Sequence, residues 1–156
     1  MNAPAQHHFS HQFRVRYAEV DLQSVVFNSR YLEYADLIIT EYWRSIGLHF
    51  ADTPDSQKDR ANDGAGALEF HVVRAEVDFT KVIRSDEVLE GRATTQRIGN
   101  SSVTTLIELW GTGEAADLRS SILLVHVHVD LETGKPIPIP DAARIALGAK
   151  PESDKS

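Results

Sequence analysis

The sequence contains no cysteine. That excludes disulfides, a thiolate nucleophile and cysteine-ligated zinc or iron–sulfur centres. It has no run of lysine and arginine, and its formal net charge is −7. Nucleic acid would be repelled by such a surface, so no nucleic-acid partner is expected. No stretch approaches the roughly 18 to 20 apolar residues of a membrane span. Met1 to His11 holds no apolar core of signal-peptide length. These absences set a plain expectation: a soluble cytoplasmic protein with no membrane partner.

What is present fits one domain. The 156 residues are 42% hydrophobic and 25% charged, an ordinary globular balance that can bury a core without staples. Met1 to Ser10 is polar and mixed, and reads as a flexible arm over residues 1–10. Its His7 and His8 are expected to be inert. The domain is expected over 11–148, with a tail at 149–156.

Periodicity divides the domain. Phe13, Val15 and Tyr17 alternate with Arg14, Arg16 and Ala18, which is strand spacing that stops near Asp21. From Tyr31 the period changes. Tyr31, Leu32, Tyr34, Ala35, Ile38, Ile39, Tyr42, Trp43 and Ile46 recur at helical spacing. Asn28 and Ser29 stand in front as N-cap candidates, and Gly47 stands just past the end. So wide an apolar stripe must be covered by something broad. Ala51 to Gly66 reads as a mobile polar loop. Leu68, Phe70 and Val72 then alternate, and the phase slips to Val73, Ala75, Val77 and Phe79, which predicts a β-bulge near Val72 and Val73. Val88 to Ile98 is a weaker alternation with Gly91, Ala93 and Thr95 on one face. Gly99 to Ser101 is a turn. Val103, Thr105, Ile107 and Leu109 line the next strand, and Leu123, Val125, Val127, Val129 and Leu131 the last. Asp141 to Leu147 predicts a short helix. One strand, a long apolar helix and four strands with short turns predict an α+β class: an antiparallel sheet curled around one helix.

The residues at the elements' edges are more specific. Arg16-Tyr17-Ala18-Glu19-Val20-Asp21, then Val25-Val26-Phe27-Asn28, then Tyr31-Leu32-Glu33-Tyr34, resemble the signature of the 4-hydroxybenzoyl-CoA thioesterase family. Val77-Asp78-Phe79-Thr80-Lys81 with Ile83 and Asp86, Arg97 to Ser102, and Val129 to Gly134 resemble it too. The resemblance spans about Phe13 to Pro140. It implies the hotdog fold and hydrolysis of acyl-CoA thioesters to free acid and CoA. There are two departures: Ser24 stands where the family usually has glycine, and Asn28 where many members have histidine. A turn needing positive φ at position 24 would suit serine less well than glycine.

The resemblance implies that Asp21 is the central catalytic group, as nucleophile or as general base on water. It also implies that helix N-terminal N–H groups near Phe27 and Asn28 polarise the thioester carbonyl, as an oxyanion hole does. Asn28 would cap the helix and orient the acyl group or water. Without the motif, Asp21 would read as a turn aspartate. Glu19 would share the face of Asp21 if the strand persisted that far, and is expected to be structural or a secondary helper. Lys81 and Arg84 are candidates for the CoA phosphates, against plain solvated cations. Asn100, Ser101 and Ser102 are candidates for the pantetheine or a phosphate, against plain turn chemistry. Tyr31 and Tyr34 border the acyl pocket or pack the core.

His126, His128 and Asp130 share one face of the last strand, a pattern that invites a metal. Strand alternation alone produces it, so a cross-strand or subunit-interface role is expected, with no metal and no cofactor. Trp43 and Trp110 read as core or interface residues. Two other classes compete. Hotdog hydratases resemble one another in using a histidine with a carboxylate near the central helix, and this chain has no histidine from Gln12 to Gly47, though His49 and His71 follow. A non-catalytic acyl-CoA-binding module is the other alternative, kept open by Ser24. A homo-oligomer, dimer or tetramer, is expected from the resemblance.

Overall fold

The computed structural model describes residues 9–48 and 68–149. The expected loop at 51–66, His7, His8, His49 and the tail beyond 149 lie outside the described residues. Five strands form one antiparallel sheet: β1 (Phe9–Arg14), β2 (Phe70–Phe79), β3 (Val88–Ile98), β4 (Ser102–Gly111) and β5 (Leu118–His128), in the order β1-β3-β4-β5-β2. Helix α1 (Arg30–Ser45) lies on the inner face, and a short helix α2 (Asp141–Ala146) follows the sheet. This is the α+β arrangement the sequence predicts.

The core lies between α1 and the sheet. Tyr31, Tyr34, Ala35, Ile38, Ile39, Tyr42 and Trp43 are buried on the helix. Leu89 and Ala93 of β3, Val103, Ile107 and Leu109 of β4, and Ile122 and Leu124 of β5 meet them. Full burial of each large side chain contributes on the order of 1.5–3 kcal/mol. Gly91 sets the helix-to-sheet approach, because a Cβ there would collide with Ile38. Gly47 ends α1 at φ +81, a left-handed conformation that glycine takes without cost. Leu32, included in the predicted stripe, is instead exposed on the far side of α1.

Several predicted details shift. The first strand is Phe9–Arg14, so Phe9 and Ser10 of the expected arm pair with Ala93 and Arg92. The predicted strand through Tyr17 gives way to a 3-10 turn at Tyr17–Glu19. The cause is local: the Glu19 carboxylate accepts the Arg16 backbone N–H at 2.7 Å and bends the chain, leaving Tyr17 exposed. On β5 the buried row is Ile122, Leu124, His126 and His128, while Leu123, Val125 and Val127 face outward. Both rows are largely apolar, so hydropathy alone selects the wrong one. The β2 bulge lies between Val72 and Arg74, where the phase slip predicts it.

Candidate active site

The segment between β1 and α1 folds back on itself. Val20 bridges Val26, Asp21 N–H donates to Val25 O at 2.9 Å, and Phe27 N–H donates to Glu19 O at 3.1 Å. At the tip, Asp21 Oδ1 accepts the Gln23 N–H at 2.8 Å and Asp21 O accepts the Ser24 N–H at 3.0 Å. An aspartate is suited to this turn because its short carboxylate reaches the N–H two residues on. Ser24 takes φ 60. The turn therefore does require the conformation glycine favours, and serine adopts it. Asp21 is half-buried, and its Oδ2 makes no hydrogen bond to any described residue.

The hairpin is stitched to the chain leaving β2. Val26 N–H donates to Ile83 O at 2.8 Å, and Val25 bridges Arg84. That brings the start of α1 beside residues 79–82. Between them is a cavity of about 240 Å³ lined by Val26, Asn28, Tyr31, Phe79, Thr80, Lys81 and Val82. Its apolar wall is built on Tyr31, whose ring meets Phe79 edge-on at 4.8 Å. Burial pushes the Tyr31 phenol pKa up, so the hydroxyl stays neutral and available as a donor.

The N–H groups at the start of α1 are not all as free as the sequence suggests. The Phe27 N–H is committed to Glu19 O, so it is not free to receive an oxyanion. Among the described residues, the N–H groups of Asn28 and Ser29 take no partner. Neither side chain caps the helix: Ser29 holds the N-cap position without a side-chain hydrogen bond. Asn28 is exposed and lines the cavity instead.

Lys81 reaches the cavity from a chain of charges. Its Nζ lies 2.6 Å from Asp117, Asp117 holds Arg119 at 2.8 Å, and Arg119 pairs with both oxygens of Glu87 at 2.8 and 2.9 Å. Lys81 and Arg119 hold the Asp117 carboxyl pKa down to about 2. Glu87 in turn caps the Arg84 N–H. Arg84 itself stands exposed beside the hairpin and forms no ion pair among the described residues. The sequence does not reveal this network, because Arg119 and Glu87 are 32 positions apart. The exposed Phe79 on a strand end was the available signal for the cavity wall.

The remaining candidates fall elsewhere. Asn100, Ser101 and Ser102 form the β3–β4 turn. Its backbone is tied down by Ile139 N–H on Asn100 O, His128 N–H on Ser101 O and Gly99 N–H on Ser102 O. Ser102 pairs with Val127 and Phe79 with Ser120. These rungs are seven residue steps apart on β5, roughly 23 Å at strand rise, so this turn does not reach the cavity within one chain. Glu19 does not share a strand face with Asp21: the 3-10 turn sends its carboxylate inward. His126 and His128 point into the core rather than an interface. His126 packs edge-on against Trp43 at 4.8 Å, and His128 lies across from Phe70. Asp130 accepts two backbone N–H groups of its own turn. Among the described residues no group of three His, Asp or Glu side chains is placed to hold a metal, and no helix is long and apolar enough to cross a membrane. Trp43 is a core residue, whereas Trp110 is half-buried under the Arg92 guanidinium at 4.5 Å.

Comparison with known proteins gives one family model, the thioesterase superfamily, matched over residues 23–116. No curated protein sequence matches the chain. Solved structures that resemble it include the 1,4-dihydroxy-2-naphthoyl-CoA thioesterase Slr0204 from Synechocystis. It is 20% identical, with TM-score 0.74, over 90% of this chain and 95% of that one. A 4-hydroxybenzoyl-CoA thioesterase carrying an aspartate-to-asparagine mutation, complexed with 4-hydroxybenzoyl-CoA, is 18% identical with TM-score 0.75, over 91% and 99%. A probable thioesterase from Bartonella henselae is 24% identical with TM-score 0.69, over 87% and 100%.

Proposed function

We propose that this chain, which belongs to the thioesterase superfamily, hydrolyses acyl-CoA thioesters to the free acid and CoA through the Asp21 carboxylate. It has the hotdog architecture and is a thioester hydrolase. The observation that carries the finer reading is the meeting at the start of α1. A half-buried carboxylate with one unshared oxygen stands at the tip of the hairpin that leads into α1, the N–H groups of Asn28 and Ser29 that follow the hairpin are unpartnered among the described residues, and Val26 and Asn28 of the same segment line the cavity.

Thioester hydrolysis needs an attacking group, a place for the developing oxyanion and a leaving thiolate. In this reading the carbonyl oxygen sits at the Asn28 and Ser29 N–H groups, where the helix end carries partial positive charge. Asp21 supplies the attack by one of two routes. It adds to the carbonyl carbon directly, expelling CoA thiolate and leaving a mixed anhydride that water cleaves. Or it takes a proton from a water that adds instead. The acyl group occupies the cavity walled by Tyr31 and Phe79. Lys81 and Arg84 lie on the CoA side as phosphate partners. Among the described residues no histidine is hydrogen-bonded to this carboxylate, and His71 is exposed on β2 and pairs with Glu69, which supports the carboxylate as the hydrolytic group. Ser24, already in the left-handed conformation, preserves the turn, so the departure from glycine does not favour a mere binding module.

The functional unit in this reading is a homo-oligomer in the cytoplasm. β2 is a sheet edge whose Val72, Val73 and Phe79 are more than half exposed, a surface that a second copy covers. Antiparallel pairing of two β2 edges sets the Phe70 end of one beside the Phe79 end of the other. It therefore brings the second copy's Asn100–Ser102 turn to the cavity's side of the sheet, where it meets the pantetheine arm or a phosphate.

The test is thiol release from a panel of aromatic and aliphatic acyl-CoAs. Steady turnover of one class supports the reading and names the acyl group. Binding of CoA with every thioester left intact contradicts it.

A further inference from the structure

Glu19 is a buried carboxylate that the proposed chemistry does not use. It is 5% exposed, and burying a carboxylate is costly unless it is fully paired. All of its capacity is spoken for. Oε1 accepts the Arg16 backbone N–H at 2.7 Å and the Tyr34 hydroxyl at 3.0 Å, and Oε2 accepts Arg16 Nε at 3.2 Å and Nη2 at 3.0 Å. A carboxylate so engaged has no lone pair turned to the cavity and is no candidate for taking a proton there. Its main-chain oxygen meanwhile closes the hairpin through the Phe27 N–H.

We propose that Glu19 is a positioning residue whose side chain locks the Asp21 hairpin to α1, and so sets where the Asp21 carboxylate stands relative to the Asn28 and Ser29 N–H groups. The geometry is that of a clamp with three jaws. Arg16 fixes the end of β1. Tyr34, held between Phe13 at 4.8 Å and Tyr31 at 6.4 Å, fixes the first turns of α1. The Glu19 main chain fixes the base of the hairpin, two residues from Asp21 on one side and one residue from Asn28 on the other. The main chain ties the hairpin to the first turn of α1 through Arg30 N–H on Phe27 O and Tyr31 N–H on Asn28 O, and the Glu19 side chain adds the direct link from the hairpin base to Tyr34 one turn further on. A misplacement of about 1 Å between reacting groups costs on the order of 100-fold in rate, which is why a buried charge is worth keeping at this point.

The inference rests on the reading of Asp21 as the attacking or activating group, and the test separates the two. Glu19→Gln and Tyr34→Phe are made in the wild type and in Asp21→Asn, and turnover, KM and thermal midpoint are measured for each. Gln keeps the shape but turns an amide toward the Arg16 donors, whereas Phe deletes one hydrogen bond and leaves the ring packing. The expected result is a loss in kcat of about 10-fold or more for Glu19→Gln and several-fold for Tyr34→Phe, with KM little changed. In the Asp21→Asn background the same changes are expected to cost under about 2-fold, since groups that act as a unit are not additive. The lowering of the thermal midpoint should be the same in both backgrounds. Equal kcat losses in both backgrounds, or unchanged turnover in the wild type, overturn the positioning role. If Glu19→Gln does not fold, Tyr34→Phe decides by the same comparison. If Asp21→Asn itself turns over like wild type, the reading of Asp21 falls and the clamp has nothing to position.

Discussion

At its N-terminal end α1 meets a hairpin, an open cavity and a connected set of charges. Toward its C-terminal end its Trp43 packs against Phe70 and His126, and Phe70 against His128, ring against ring. Most polar atoms at the first end are paired, and the Asn28 N–H, on a residue that lines the cavity, has no partner among the described residues. At the second end His126 Nδ1, His128 Nε2 and Thr105 Oγ1 are buried with no partner among the described residues. His126 differs from Glu19 in what burial does to it. Glu19 loses solvation, but its hydrogen bonds outweigh that and hold its pKa below the usual range. His126 has no such compensation, and desolvation alone lowers its pKa to about 4. One end of the helix thus keeps charge in place, and the other excludes it. Chemistry on a thioester requires the first; a stable platform for it requires the second.

That contrast can be broken from the packed end first. Trp43→Ala is expected to remove about 3–5 kcal/mol of stability, the usual range for an aromatic deleted from a core, while turnover per folded molecule stays within about 2-fold of wild type. Denaturant unfolding alongside active-site-normalised rates checks it. A large loss of turnover with stability intact would show that the aromatic end shares in the chemistry.

A pH titration sharpens the same contrast. The folded His126 pKa lies below its ordinary value of 6.5, so between these limits the unfolded chain binds a proton that the folded chain does not. Stability is therefore full above about pH 6.5 and is lost as pH falls toward 4, by on the order of 3 kcal/mol. Unfolding curves at several pH values should show this slope, and His126→Leu should flatten it. The smallest effect is at the hairpin. Ser24→Gly relieves a left-handed serine but adds chain entropy to the unfolded state, so a net gain of about 0.5 kcal/mol is expected. A loss of stability would mean that the serine hydroxyl contributes something glycine cannot.

The sequence made some of this legible and hid the rest for identifiable reasons. Helical spacing from Tyr31 to Trp43 located α1, Gly47 marked its end, and the slip after Val72 located the bulge, because each is a local pattern. The 3-10 turn at Tyr17–Glu19 was hidden, since a side chain reaching back to the Arg16 N–H overrode an alternation that fits a strand. The buried row of β5 was misread because His126 and His128 look polar yet carry aromatic bulk. Of the candidate site residues, Asn28, Tyr31 and Lys81 come together at one cavity, with Asp21 and Arg84 on the adjoining hairpin and its partner segment. Phe27 is spent on the hairpin, and the Asn100–Ser102 turn stands at the other end of the sheet. Pairings such as Arg119 with Glu87 and Tyr34 with Glu19 depend on chain crossings that no local pattern encodes.

The most direct measurement is turnover of an acyl-CoA that the wild type hydrolyses, made on Asp21→Asn together with its thermal midpoint. The amide keeps the Gln23 hydrogen bond through its oxygen and removes the charge. A fall in kcat of at least about 100-fold, as expected for a main acid–base or nucleophilic group, with the thermal midpoint nearly unchanged, is the predicted result. Wild-type turnover in Asp21→Asn would contradict the account and leave the carboxylate a turn residue.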